Sequence, residues 1–367
     1  MELSKSLRPD LDADAVGGSV TLTLRQAPEN FHFDVSANGG YNQLGKDWNN
    51  YKYTGSVSDR FFDNALGARI QLSIEQKQLP SEQFGGTYSG AKLVNGTQDQ
   101  FYIETQSAVL TVNQQRRNRN DGSAIFDYAS DFVDLSFFNL YSEKNDAVST
   151  AANSISFLNS GLDGGFSRRY SLTSYHTSER THSLQSLFKL GDTKLNISLA
   201  YTNANTNAPS SQFPMTELVS GIPFATESIR YNAQPAGLIT AMGPSNPANT
   251  WIQNFERYDV TLLDENYDGK VDYKIPFKIS DDLSGVASVG GKYHGVRRES
   301  GGSGLYAYFQ YGAGKANRDN LIKYFPWIFY DPSGQHGIPV KSFLQADYNY
   351  GTFLDNRYKL DWSASLP

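Results

Sequence analysis

Residues 66–76 read L-G-A-R-I-Q-L-S-I-E-Q, and apolar and polar side chains alternate through this stretch. In an extended chain Ile70, Leu72 and Ile74 share one face, while the residues between them are polar. The same period of two recurs in residues 194–203 and 268–277. This period predicts β-strands with one apolar and one polar face, and none of these stretches has a helical period.

Weaker repeats of the same pattern bring the prediction to about nine strands. They cover about 30–41, 50–59, 66–76, 122–129, 133–143, 180–190, 194–203, 268–277 and 285–297. Short turns rich in Asp, Ser or Gly are predicted near 61–64, 130–132, 191–193 and 280–284, with one short connection at 42–48. The other connections are predicted as long loops over 78–118, 145–166, 204–256 and from 298 onward.

Tight and long connections therefore alternate along the chain. In an up-and-down antiparallel sheet this places the tight turns at one edge and the long loops at the other, as in bacterial outer-membrane barrels. Tyrosines such as Tyr141 and Tyr201 fall near strand ends, where an interfacial aromatic girdle lies. The predicted fold is all-β, an antiparallel up-and-down transmembrane β-barrel. A soluble β-sandwich also alternates apolar and polar residues and remains the alternative.

The composition narrows the function classes. The chain has 367 residues, no cysteine and a net charge of −6, which disfavours disulfide frameworks, thiolate metal sites and a nucleic-acid partner. No run of 18 apolar residues is present, and residues 1–20 lack the apolar core of a signal peptide. If the protein is exported, we expect its signal upstream of residue 1.

Residues 2–25 read E-L-S-K-S-L-R-P-D-L-D-A-D-A-V-G-G-S-V-T-L-T-L-R. This run resembles the end of the plug domain of TonB-dependent outer-membrane receptors, through a set of matching residues: Glu2, Lys5, Pro9, Asp10, Asp12, Asp14, Gly17, Gly18 and Val20. In an extended segment the three aspartates point to one side, where they either cap a strand or pair with barrel arginines. Gly17 and Gly18 permit a positive φ or a close backbone approach.

The resemblance implies a receptor that binds and imports a scarce solute, a siderophore–iron complex or an oligosaccharide. It implies TonB as the energising partner, the outer membrane of a Gram-negative bacterium as the location, and contact with lipid and lipopolysaccharide. Residues 1–27 would end the plug, 28–297 would form the first barrel strands, and 298–367 a long extracellular loop with the possible start of another strand. Since such barrels have about 22 strands, the chain is expected to be a fragment.

The solute-binding candidates are aromatic residues of the predicted outer loops. They are Tyr88, Phe213, Tyr306, Tyr308 and Trp327. Neither a cofactor nor an enzymatic activity is predicted, because no catalytic spacing is present. A soluble extracellular glycan-binding protein and a passive porin are the alternative functions.

Three other motifs are interpreted as structural. Asp264–Gly269 imitates the start of a calcium loop, but Ile275 occupies the twelfth position, where an acidic ligand is required. Gly301–Gly304 is interpreted as flexible-loop glycine and not as a phosphate cradle. The basic run 116–119 is interpreted as a solvated loop end, with lipopolysaccharide phosphate as the alternative contact.

Overall fold

The computed structural model describes residues 2–4, 19–21, 27–103, 105–156, 165–217, 250–252, 254–280, 283–308, 323, 338–340, 352–353 and 358–359. Its strands are β1 (Glu2–Ser4), β2 (Ser19–Thr21), β3 (His32–Asn42), β4 (Asp47–Phe61), β5 (Leu66–Gln78), β6 (Ser81–Tyr88), β7 (Lys92–Leu93), β8 (Phe101–Tyr102), β9 (Thr105–Ala129), β10 (Val133–Ser156), β11 (Gly165–Leu190), β12 (Thr193–Glu217), β13 (Thr250–Ile252), β14 (Asn254–Ser280), β15 (Leu283–Tyr308), β16 (Ile338–Pro339), β17 (Thr352–Phe353) and β18 (Tyr358–Lys359). Within these ranges no helix is long and apolar enough to cross a membrane.

Twelve described strands form one antiparallel sheet. Nine of them follow the order β15-β14-β12-β11-β10-β9-β5-β4-β3, while β6 pairs with β9, β13 with β12, and β16 with β13. Each long strand pairs with its neighbours in the chain, apart from short insertions, so the predicted all-β, antiparallel, up-and-down fold is confirmed. Among the described residues β3 and β15 do not pair with each other, and the sheet has two open edges. The small sheets β1–β2, β7–β8 and β17–β18 lie outside it.

The predicted short turns lie where the sequence placed them, between β4 and β5, β9 and β10, β11 and β12, and β14 and β15. They share one edge of the sheet, which we call the tight-turn edge. The opposite edge, with the other connections, is the long-loop edge. In the first turn Phe62, Asp63 and Asn64 all have positive φ values between 51° and 69°. The Ala65 N–H donates to the carbonyl of Phe62 at 3.0 Å and closes this turn.

The predicted lengths of the outer loops were wrong. Six strands are 24–27 residues long and occupy much of the segments predicted as loops: β9, β10, β11, β12, β14 and β15. We call their portions nearest the long-loop edge the polar extension, which comprises residues 105–119, 142–156, 165–181, 202–217, 254–266 and 296–308. Residues 202–212 read T-N-A-N-T-N-A-P-S-S-Q, which has few apolar residues to alternate. Such strands are formed by ladder hydrogen bonds with their neighbours, and a hydrophobic pattern cannot reveal them.

The glycine run Gly301–Gly304 and the basic run 116–119 were also assigned wrongly to loops. Gly301–Gly304 lies within β15, opposite Tyr258–Thr261 of β14. Residues 116–119 lie within β9. Asp264–Gly269 belongs to the continuous strand β14, which begins earlier than the predicted strand over 268–277.

A proline interrupts the strand next to β9. β5 pairs with β9 as far as Gln78, and β6 resumes the pairing from Ser81. Pro80 lies between them and has no N–H to donate, so the ladder breaks there.

A small apolar cluster lies at the long-loop edge, where β13 pairs with both β12 and β16. Ile252, Ile338 and Val340 are buried in it. The predicted long loop from residue 298 onward did not include the pairing of β16 with β13.

Candidate functional site

The two faces of the sheet differ in an unusual way. On β4, Val57 is 38% exposed, while its neighbours Ser56 and Ser58 are only 8% and 5% exposed. Normal folding buries apolar groups and leaves polar ones in water. Here the polar side chains lie on the more shielded face, which we call the polar face, and the other is the apolar face.

The apolar face forms a band that crosses the sheet in the half nearest the tight-turn edge. Val57 pairs with Ile70, Leu72 with Gly122, and Leu199 with Gly269 in successive strands. Its exposed members are Phe33, Val35, Tyr53, Val57, Ile70, Leu72, Ile74, Phe126, Tyr128, Phe137, Tyr141, Leu184, Leu199, Tyr267, Val271, Ile275, Phe277, Val289 and Tyr293. Contiguous exposed apolar surface of this extent is not stable against water unless something covers it.

Tyrosines mark the side of the band that borders the polar extension. The rings of Tyr201 and Tyr267 lie 5.0 Å apart between centroids. The Tyr201 hydroxyl donates to Glu265 at 2.9 Å, on the side of the extension. The Arg180 guanidinium lies 5.8 Å from the ring centroid of Tyr141. Each ring therefore faces apolar neighbours on one side and charged groups on the other.

Ion pairs cover the polar face within the polar extension. Arg117 Nε donates to Asp146 at 2.8 Å, and this hydrogen bond raises the pKa of the Arg117 guanidinium above its usual value. Arg119 pairs with Asp121 at 2.8 Å. Two members of the basic run thus form ion pairs on the polar face, and are not a solvated loop end.

A second group of ion pairs lies on β14 and β15. Arg298 Nε donates to Asp264 at 2.6 Å, which lowers the pKa of the Asp264 carboxyl despite an opposing effect of burial. His294 contacts Asp268 at 2.7 Å. The described residues contain no group of three or more His, Asp or Glu side chains that could hold a metal ion.

Close to the tight-turn edge, Arg60 and Asp127 hold the chain that leads into β3. Their side chains are 11% and 3% exposed, and Nη2 of Arg60 lies 2.7 Å from Oδ2 of Asp127. Arg60 Nη1 donates to the Ala27 carbonyl at 2.8 Å, and the Ala27 N–H donates to Asp127 at 3.4 Å. We call this arrangement the Ala27 bracket.

A polar recess of about 400 Å³ begins at Pro28, which follows the bracket in the chain. It lies on the polar face of β3, β4 and β5, and its other lining residues are His32, Asp34, Val35, Ser36, Thr54, Ser56, Ser58, Arg69 and Gln71. Shielded polar side chains, among them Asp127, Ser56 and Ser58, therefore lie close to where the N-terminal segment joins the sheet.

The two predicted solute-binding aromatics whose side chains the structure describes are not brought together. Tyr88 is exposed on β6, on the opposite face of the sheet from Tyr306 on β15. Phe213 and Tyr308 belong to β12 and β15, but their side chains are not among those described, and Trp327 lies outside the described residues altogether. The predicted plug residues Asp10, Asp12, Asp14, Gly17 and Gly18 also lie outside the described residues.

Tyr306 has partners that sequence reasoning did not single out. Its hydroxyl hydrogen-bonds with Asn254, whose amide donates to Glu256 at 2.8 Å, and Glu256 accepts a hydrogen bond from Tyr258 at 3.2 Å. The residues Asn254, Glu256 and Tyr258 have a spacing of two, which places them on one face of a strand. That spacing was a usable signal, but Asn254 and Glu256 lay at the end of the predicted loop 204–256, and Tyr258 lay just beyond it.

Comparison of the chain with protein-family models, with curated proteins and with solved structures finds no match. The two faces of the sheet and the residues of the N-terminal segment are therefore the features that bear on function.

Proposed function

We propose that this chain supplies barrel strands to a TonB-dependent outer-membrane receptor, which binds a scarce solute and imports it across the outer membrane of a Gram-negative bacterium. The observation that carries the proposal is the exposed apolar band, which runs across the sheet opposite a face lined with ion pairs. An outer-membrane barrel needs this arrangement, because its outward side chains contact lipid and its inward ones contact water.

The dimensions of the sheet support the proposal. A strand that spans the membrane needs about 9–11 residues. The six longest strands have 24–27, so about half of each would extend past the membrane on the side of the long loops. Tyrosines lie along the side of the apolar band that borders the polar extension. They match the aromatic girdle that outer-membrane barrels place at the lipid headgroups.

The two open edges of the sheet, β3 and β15, indicate that a closed barrel would need further strands. Unpaired backbone groups in hydrocarbon cost several kcal/mol each, so a sheet in a membrane has to close on itself. Closure would require strands in addition to the nine described here, as the predicted barrel of about 22 strands would provide.

The assignment to TonB-dependent transport depends on residues 2–25 and their resemblance to the end of a plug. The Ala27 bracket is compatible with it, because it fixes the chain that follows that segment to the polar face of the sheet. In this proposal TonB is the energising partner, lipid and lipopolysaccharide contact the apolar face, and the solute contacts the polar face.

The two alternative functions differ in what they require. A soluble glycan-binding sandwich needs a second sheet over the apolar band, and the described residues contain none. A passive porin could use the same strands, but it needs no plug-like segment before β3.

Fractionation and uptake test the proposal with the protein expressed from its native reading frame. We expect it in the outer membrane, with heat-modifiable migration in SDS gels. Solute uptake should stop when the proton gradient is collapsed by an uncoupler. Uptake that continues with the uncoupler would identify a porin, whereas a monodisperse, cooperatively melting protein in the aqueous fraction would refute membrane insertion.

A further inference from the structure

We propose that the polar face of β14 and β15, within the polar extension, carries a binding site for a neutral saccharide, centred on Tyr258, Tyr306 and Glu256. This inference rests on the proposed function, in which that face contacts the solute, and it chooses an oligosaccharide over an iron chelate.

The Glu256 carboxylate is held in a fixed orientation between two tyrosines. Tyr258 Oη donates to one carboxylate oxygen at 3.2 Å, and Asn254 Nδ2 donates to the other at 2.8 Å. The same Asn254 amide hydrogen-bonds with the hydroxyl of Tyr306, which pairs directly with Glu256 across the two strands. The carboxylate and both rings therefore form one connected unit.

Two glycines lie beside this unit. Gly302 and Gly304 precede Tyr306 at a spacing of two on β15, so they share its face and place no side chain there. The Tyr258 ring lies against Gly304, because a Cβ at that glycine would be 3.5 Å from two of the ring carbons. The rings of Tyr258 and Tyr306 nevertheless stay 40% and 48% exposed.

Uncharged polar groups continue the surface across the next two strands. Gln212 of β12 pairs with Glu256, and Ser210 pairs with Tyr258. Ser210 in turn hydrogen-bonds with Thr173 of β11 at 2.8 Å. An amide and two hydroxyls thus lie in line with the carboxylate and the aromatic rings.

This combination matches the chemistry of a sugar ring. A pyranose has C–H faces that pack on an aromatic ring, and hydroxyls at its edge that donate to carboxylates and amide oxygens. The Glu256 carboxylate would repel an anionic iron–catecholate complex. On the same face of β14 and β15 the nearest basic side chain is Arg298, which is paired with Asp264, and Arg169 lies two strands away on β11.

Calorimetric titration tests the inference on protein purified from cells that express its native reading frame. An amine-oxide detergent is required, because alkyl glycosides would offer competing sugar headgroups. The probes are maltohexaose, cellohexaose and xylohexaose, with a ferric tris-catecholate complex as the anionic comparator. We expect at least one hexaose to bind, and Tyr258→Ala and Tyr306→Ala each to weaken its affinity about tenfold or more.

Glu256→Gln keeps the shape of the site and removes its charge, so we expect a smaller loss of hexaose affinity and a gain in catecholate affinity. Tyr293→Ala is the matched control, an exposed tyrosine of β15 on the opposite, apolar face of the sheet, and should leave the affinity unchanged. Heat-modifiable migration of each variant checks that it has folded.

Binding of the catecholate but of no hexaose would overturn the saccharide inference, as would no binding of any probe. Hexaose binding that is insensitive to both tyrosine substitutions would overturn the assigned site. Failure of the proposed function gives a different result, a protein recovered in the aqueous fraction, and the same titration can then be performed on it without detergent.

Discussion

Arg60 reaches Asp127 across an intervening strand, with 2.7 Å between Nη2 and Oδ2. Arg60 on β4 pairs with Gly67 on β5, and Gly67 pairs with Asp127 on β9. The contact forms because the residue between them has no side chain. A Cβ at Gly67 would lie 2.4 Å from the Asp127 carboxylate and 2.8 Å from the Arg60 guanidinium.

Gly67→Ala is therefore expected to separate the pair and release Ala27. Overpacking of this kind lowers the free energy of unfolding by about 1–3 kcal/mol. Urea unfolding in detergent measures the change. Gly55→Ala on β4 is the matched control, since no atom lies within 4 Å of the added Cβ. Equal effects of the two substitutions would show that the close approach at Gly67 has no energetic consequence.

Asp127→Ala should lower the free energy of unfolding more than replacement of both Arg60 and Asp127 does. The substitution leaves the Arg60 guanidinium shielded from water without its carboxylate, and such losses are about 3–5 kcal/mol. The double variant Arg60→Met with Asp127→Leu removes both charges and should destabilise the protein less. If the double variant proves the less stable of the two, the charges themselves are needed.

The same pair controls how the N-terminal segment is attached. With Asp127→Ala, the Ala27 backbone loses one partner and Arg60 loses its orientation. We expect limited proteolysis to cleave near Ala27 faster in this variant than in the unaltered protein. Lys189→Ala, which removes the more exposed ion pair to Asp134, serves as the control and should not change this cleavage.

The two faces of β5 should respond oppositely to a positive charge. Ile70→Arg places arginine in the apolar band, where lipid contact at the midplane makes it cost about 2–4 kcal/mol. Gln71→Arg places it on the polar face, among the polar side chains that line the recess. We expect Ile70→Arg to deplete the protein from the outer-membrane fraction and Gln71→Arg to leave it there. A soluble sheet would give a different result, because Ile70→Arg would then improve solubility.

Acid should release Arg298 from Asp264. A carboxyl whose pKa is lowered in the folded state stabilises that state at pH values above its ordinary pKa of about 3.9. This contribution is lost as the pH falls from there through the lowered value. Arg298→Gln removes the main hydrogen bond that lowers the pKa. The carbon-13 shift of the Asp264 carboxyl should then titrate at a higher pH, and an unchanged midpoint would contradict the assigned cause.

The strands near the tight-turn edge were predictable, because there each strand alternates between apolar and polar side chains. Residues 66–76 identify β5, and 194–203 identify the first half of β12. The turns were predictable too, since Asp, Ser and Gly concentrate where the chain reverses. The far halves of the long strands were not, because both faces are polar there: in β12, for example, Asn203, Asn205 and Asn207 lie on one face and Thr202 and Thr206 on the other.

The cluster of Tyr258, Tyr306 and Glu256 was likewise not predictable from the sequence pattern. Tyr306 was a candidate from its aromatic character alone, whereas Glu256 ended a segment assigned to a loop and Tyr258 lay between that loop and the next predicted strand. Only the register between β14 and β15 brings Glu256 opposite Tyr306. Glu256 and Tyr306 are 50 residues apart in the sequence, and no periodicity reveals a pairing over that distance.

The sequence by itself determined that the chain folds into antiparallel strands with one apolar and one polar face, because a side-chain period of two has local causes. Register, strand length and the contacts across strands were decided only by the tertiary structure. They depend on hydrogen bonds between segments that are distant in the sequence. They also depend on positions such as Gly67, where the lack of a side chain lets two other residues meet. Arg60 and Asp127 are 67 residues apart, and their contact exists because three strands lie side by side in one register.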